Sequence, residues 1–233
     1  MPDSYIHFEQ KAAAGLVTLD RPNALNALSM DMVLAFADQL SRWAEDETIT
    51  HLILCSSSPR AFCVGGDIKY ARELAISDNP AGAEPYFRAE YLADIALIEF
   101  GKPVISLCDG IVMGGGAGLA QYSQHILMTE TTRFSMPESA IGLFPDVGAS
   151  LFLGRCPKSV ARLMGMTGHI LGAADCLLLG LATVIVKYIF LFLLPCFGKW
   201  GASKFTANVF EGYQSTFVDP NRVVAKSALM AAV

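Results

Sequence analysis

Short apolar runs and stretches of helical spacing alternate along the chain, and each change of pattern marks an element. Tyr5 to Glu9 and Gly15 to Asp20 read as two strands joined by a short Ala/Gly-containing turn, a hairpin signal, and Arg21-Pro22-Asn23 ends the second strand. Ser29 stands where a helix N-cap belongs, and Val33, Ala37, Leu40 and Trp43 recur at helical spacing, predicting an amphipathic helix over about residues 30–44. His51 to Cys55 is a short buried strand, Phe62 to Asp67 a turn, and Ala83 to Phe100 a long helix that carries Glu90. Pro103 to Cys108 is a second buried strand; it runs into Asp109-Gly110 and a glycine run, with Leu119 to Tyr122 continuing a helix. Ile126 to Met128 gives one more strand. Strands alternating with helices predict an α/β domain.

Composition adds limits. A chain of 233 residues is long enough for one domain that buries roughly 70–75% of its unfolded surface. The six cysteines (Cys55, Cys63, Cys108, Cys156, Cys176, Cys196) form no CxxC pair, and no leader resembling a signal peptide opens the sequence, so reduced thiols in the cytoplasm are the expectation. The four histidines have no metal-ligand spacing, and no metal is predicted. Net charge is −5 with no basic run, which leaves out the electrostatic footprint of a nucleic-acid binder. Mean hydropathy is high at +0.42, and much of the apolar excess follows residue 176.

The chemistry concentrates in the segment Met136 to Gly148, where Glu138 and Asp146 are set among Met, Ile, Leu, Phe and Pro. Carboxylates in such a frame are partly desolvated, which raises proton affinity and suits them to acid or base work. Two glycine turns, Gly65-Gly66-Asp67 and Gly114 to Gly118, each follow a short apolar stretch. Each is either tight packing or one backbone amide of an oxyanion hole. The second turn does not fit GxGxxG, and no Walker or GxSxG motif occurs. Asp146 alone would pass as an ordinary helix N-cap, and Cys63, without a His or Lys nearby, as a core thiol.

Taken in order, LDRPNALNAL at residues 19–28, AFCVGGDIK at 61–69, DGIVMGGGAGLA at 109–120 and MPESAIGLFPDVG at 136–148 resemble the crotonase (enoyl-CoA hydratase/isomerase) superfamily. The resemblance covers about residues 5–183 and is strongest to the branch of 3-hydroxyisobutyryl-CoA hydrolases of valine breakdown. It implies a spiral of ββα units, usually assembled as trimers, in which Gly66 and Gly115 supply amides to a thioester carbonyl. Hydratases of the superfamily use two glutamates: one falls at Glu138, the other at Gly118, so half of the hydratase pair is missing. Asp146 matches the second carboxylate of the hydrolase branch and Glu90 its acidic substrate-contacting position. Asn26, Ala27, Leu28 and Lys69 lie where relatives contact CoA, while Asn23 replaces a basic residue common there. The implied activity is acyl-CoA thioester hydrolysis with CoA as part of the substrate and no other cofactor. The alternatives are a hydratase or isomerase, and an impaired crotonase-fold remnant that binds CoA esters, subunits or a membrane. The mitochondrial matrix is the alternative compartment.

The tail departs from this pattern. The sequence predicts a core over residues 1–183 and an atypical apolar segment over 184–233, as from a truncated or altered C-terminus. Leu177 to Leu194 is 18 residues long, the minimum for a membrane span. Lys187 in its middle, costing ~2.5–3.5 kcal/mol on insertion, and Pro195 argue against one.

Overall fold

A computed structural model describes residues 5–79 and 81–187. The predicted hairpin is present as β1 (Ile6–Lys11) and β2 (Ala14–Leu19), paired antiparallel with Ile6 opposite Leu19. The first helix, α1 (Met30–Glu45), begins at Ser29, whose side chain accepts from the Met32 N–H. It turns Met32, Val33, Phe36, Leu40 and Trp43 inward, and each such large apolar side chain contributes about 1.5–3 kcal/mol by leaving water.

From β3 onward the chain repeats one unit. A strand enters a large sheet, a second short strand enters a small sheet, and helical segments follow. The first unit is β3 (His51–Ser56), β4 (Ala61–Cys63), α2 (Ile68–Ala75) and α3 (Glu84–Glu99). The second is β5 (Val104–Cys108), β6 (Ile111–Met113) and α4 (Gly115–Gln121). The third is β7 (His125–Thr129), β8 (Arg133–Ser135), a 3-10 turn at Glu138–Ile141, α5 (Ala149–Gly154) and α6 (Lys158–Thr167). Then come β9 (Leu171–Gly172), α7 (Ala173–Leu178) and β10 (Val184–Val186).

The large sheet has the order β1-β2-β3-β5-β7-β10 and is parallel from β2 on. The small sheet has the order β4-β6-β8-β9. Strands β5 and β7 are buried along their whole length, which is why their sequences are continuous apolar runs rather than alternations. The small sheet went unpredicted because strands of two or three residues carry no period. Its strand β4 takes Phe62 and Cys63, expected as part of a turn. The glycine run likewise proves to be the first turn of α4 rather than a loop before it.

The sheet runs three residues beyond the predicted core boundary at 183, since Val184–Val186 pair with Leu127–Thr129. The described part of the apolar run from Leu177 is therefore the end of α7, a turn at Gly180 and strand β10, not the start of one spanning helix. Among the described residues no helix is long and apolar enough to cross a membrane. The rest of that run and the expected altered C-terminus lie outside the described residues.

Candidate active site

The two glycine turns meet. Leu28 and Gly66 form an isolated parallel bridge, in which Leu28 N–H donates to the Gly65 carbonyl and Asp67 N–H to the Leu28 carbonyl. That pattern spends the Gly65 carbonyl and the Asp67 N–H and leaves the Gly66 N–H facing the other way. Gly115 is the first residue of α4, where a helix has no internal acceptor for its N–H. Among the described residues neither amide has an acceptor, and a Cβ on Gly115 would sit 3.5 Å from the Gly66 nitrogen, so both border one small space.

Glu90, buried on α3, reaches into that space. A Cβ on Gly115 would lie 2.2 Å from its Oε1, and one on Gly66 3.2 Å from either carboxyl oxygen. A side chain at Gly115 would displace the Glu90 carboxyl, and one at Gly66 would press on the Tyr86 hydroxyl at 2.8 Å, so the two glycines leave this space to those groups and to a ligand. The Glu138 carboxyl approaches from the far side, its Oε1 3.0 Å from where a Cβ on Gly114 would be, and its buried Oε2 has no hydrogen-bond partner. Asp146 completes the group, accepting a 2.7 Å hydrogen bond from the Tyr91 hydroxyl. Asp146 is not a side-chain N-cap: α5 starts after Gly148 with no side-chain cap. Its loop is instead fixed by Tyr91 and by the Tyr122 hydroxyl, which donates to the Val147 carbonyl at 2.8 Å.

The carboxyls are held uncompensated. No ion pair among the described residues involves Glu90, Asp94, Glu138 or Asp146. Burial pushes Glu138 up to about 7, with the Asp146 charge adding to the effect. Burial also pushes Glu90 up to about 8, the charges of Asp146 and Glu138 adding to it. Asp146 is raised by burial and held back by the Tyr91 hydrogen bond.

Helix α3 supplies more of the site than Glu90. Tyr86, one turn earlier, accepts from Asp67 N–H at 2.6 Å and donates to the Leu28 carbonyl at 2.5 Å, clamping the Gly66 turn. Asp94, one turn later, is 2% exposed with an unpartnered Oδ2, and burial drives its carboxyl well above the usual range. Among the described residues, Glu90 and Asp94 are the only polar ones lining a cavity otherwise walled by apolar side chains such as Leu28, Phe36, Phe62 and Leu119. Tyr86, Tyr91 and Asp94 were missed from the sequence. Tyr86, Glu90 and Asp94 at i, i+4 and i+8 on an otherwise apolar helix face were the available signal for two of them, and Tyr91 had none.

The expected CoA contacts separate. Lys69 is exposed on α2. Asn26 is fully buried at φ +57, and its side-chain nitrogen donates to Ser56 Oγ and the Ala61 and Phe62 carbonyls while its oxygen accepts from Arg21 N–H. The carbonyls of Ala27 and Leu28 are likewise engaged, by Arg21 and Tyr86. These three residues brace the glycine turn from behind. Cys63 is buried and its thiol is pushed up to about 12 by burial, which leaves no thiolate for nucleophilic work.

Position 118 is closed to any side chain by the loop that carries Asp146. A Cβ on Gly118 would meet the Val147 Cβ at 2.9 Å, so the loop carrying Asp146 occupies the space in which a side chain at 118 would stand. Residues 14–190 match the family model described as enoyl-CoA hydratase/isomerase. The chain belongs to that family. Family members with solved structures share the fold: an enoyl-CoA hydratase from Rhodobacter sphaeroides superposes with a TM-score of 0.79 at 29% identity, covering 98% of this chain and 74% of that one. A carnitinyl-CoA dehydratase from Mycobacterium thermoresistibile gives 0.81 at 28% identity, over 99% and 70%. In sequence, 3-hydroxyisobutyryl-CoA hydrolase, mitochondrial, from Danio rerio is 39% identical over 184 residues, which is 79% of this chain and 48% of that protein. 3-Hydroxyisobutyryl-CoA hydrolase 1 from Arabidopsis thaliana is 40% identical over 184 residues, 78% and 48%. The chain thus spans about half the length of the curated relatives it matches.

Proposed function

We propose that this chain carries the catalytic half of an acyl-CoA thioester hydrolase of the 3-hydroxyisobutyryl-CoA type. The observation that carries this is the meeting of the Gly66 and Gly115 turns beside Glu90, with Glu138 bordering Gly114, Asp146 close enough for its charge to act on both glutamates, and Val147 filling the place of a side chain at 118. The thioester oxygen accepts from the two amides, which are held rigid by Tyr86 and by the start of α4. Glu138 either takes a proton from a water as the water oxygen adds to the carbonyl carbon or attacks that carbon itself. The negative charge that develops on that oxygen is stabilised by the two amide N–H donors, a contribution typically of about 2.7–4 kcal/mol per donor. On the water route, collapse breaks the C–S bond and the CoA thiolate takes the proton held by Glu138. On the direct route, collapse leaves CoA thiolate and an acyl–Glu138 anhydride, which water splits into the acyl acid and the free Glu138 carboxylate, the second proton of that water going to the thiolate. Asp146, aimed by Tyr91, accepts a hydrogen bond from the substrate hydroxyl. Glu90 borders the same acyl group and Lys69 the CoA side, while Asn26, Ala27 and Leu28 act on CoA only by holding the Gly66 turn in place.

The group needed beside the substrate is water alone, and CoA enters only as part of the ester. The names of the animal relatives place those proteins in mitochondria, which supports the matrix over the cytoplasm. A homo-oligomer of the trimer type is the expected assembly. The test is steady-state release of CoA thiol from 3-hydroxyisobutyryl-CoA by the purified chain, with Glu138→Gln abolishing it. Retention of most activity in that variant, or hydration of crotonyl-CoA by the unaltered chain, overturns the assignment; release of no CoA at all favours a remnant that only binds CoA esters.

A further inference from the structure

Among the described residues the acyl end of this site is built without a cation. A carbonyl held between the Gly66 and Gly115 amides brings whatever is attached to its α-carbon among Glu90, Glu138 and Asp146, because Glu90 touches the space of both glycines, Glu138 borders Gly114, and Tyr91 hands Asp146 in beside Glu90. No lysine, arginine or histidine pairs with any of the three among the described residues, and the one further polar group behind them, Asp94, is a fourth carboxyl. The nearest ion pair, Arg21 with Asp67 at 2.7 Å, is closed on itself and braces the Gly66 turn.

We propose that Glu138 and Asp146, uncompensated and backed by Glu90 and Asp94, make the site a charge filter: it accepts acyl groups that are uncharged beside the carbonyl and refuses those that carry a second carboxylate there. This rests on the hydrolase reading and narrows its substrate class. The turnover-competent state needs Glu138 ionised, so a dicarboxylic acyl group places a third negative charge in a desolvated space with no donor cation to meet it. Like charges brought together in this way cost several kcal/mol, so discrimination of at least ~100-fold follows. A hydroxyl at the same position has the opposite fate, since it donates to Asp146.

Three thioesters that differ at one substituent test this: 3-hydroxyisobutyryl-CoA, isobutyryl-CoA and methylmalonyl-CoA carry CH2OH, CH3 and COO− on the same carbon. Isobutyryl-CoA separates loss of the hydroxyl from presence of the charge. Expected is a kcat/KM for methylmalonyl-CoA lower than that for isobutyryl-CoA by ~100-fold or more, with Asp146→Asn narrowing this gap by ~10-fold. Methylmalonyl-CoA turnover within a few-fold of isobutyryl-CoA, or a gap unchanged in the variant, overturns the filter. Calorimetric Kd values for the same three esters make the comparison without turnover. If none is hydrolysed the hydrolase reading falls, and the ratio of Kd values still decides the filter.

Discussion

The proton affinity of Glu138 makes the sharpest prediction. Its carboxyl is held at about 7 instead of the ordinary 4.5, first by burial and then by the Asp146 charge. That displacement corresponds to about 3 kcal/mol of lost preference for the ionised form, at ~1.4 kcal/mol per tenfold. The ionised form is the one that takes the proton from water or attacks, so kcat/KM falls about tenfold for each pH unit below about 7 and is ~100-fold below its plateau near pH 5. A glutamate at its ordinary 4.5 would leave the rate nearly flat over the same interval. Asp146→Asn removes the smaller of the two causes, and the acid limb moves to lower pH without reaching 4.5, because burial remains. Initial rates followed by loss of thioester absorbance across pH 5–9 provide the measurement. A profile flat down to pH 5, or an acid limb that moves upward in Asp146→Asn, refutes the assignment of Glu138 as the reacting carboxylate.

Tyr91→Phe removes the hydrogen bond to Asp146, worth about 1.5–3 kcal/mol for a charged acceptor, and kcat with the hydroxyacyl substrate is expected to fall ~10–100-fold. Isobutyryl-CoA, which has no hydroxyl to orient, is expected to lose less, and equal losses would refute a positioning role. Gly118→Glu, which restores the second glutamate of the hydratase pattern, forces atoms against Val147 and is expected to cost about 1–3 kcal/mol without producing crotonyl-CoA hydration. Hydratase activity in that variant would show that the loop yields. Asp94 keeps a proton in the folded state that the unfolded chain releases near pH 4, so the native state loses relative stability as pH rises above that value. Asp94→Asn is therefore expected to raise the thermal midpoint at pH 8 by at least ~2–4 °C, the equivalent of 1 kcal/mol in a chain of this size, and to have little effect at pH 4. A midpoint difference independent of pH would remove that explanation.

The hairpin, α1 with Val33, Leu40 and Trp43 on its inner face, α3, the central strands β3, β5 and β7 and the four motif blocks were legible in the sequence because each depends on local period or on residues adjacent in the chain. Glu90, Glu138, Gly66 and Gly115 could likewise be named, through resemblance, at positions that the fold brings to one place. The small sheet could not be read, since its two- and three-residue strands have no period and exist only by pairing across the spiral. Nor could the roles of Tyr86, Tyr91 and Asp94, whose meaning comes from what α3 faces after it packs: a glycine turn, a loop 55 residues further on, and an apolar cavity. Asp146 shows the division most plainly. Before Val-Gly-Ala-Ser it has the local chemistry of a helix cap, and only the packing of Val147 against Gly118, with Tyr91 reaching across, turns its carboxyl into the site. Local chemistry determined which groups were available; burial and long-range contact decided which of them share a space and a proton.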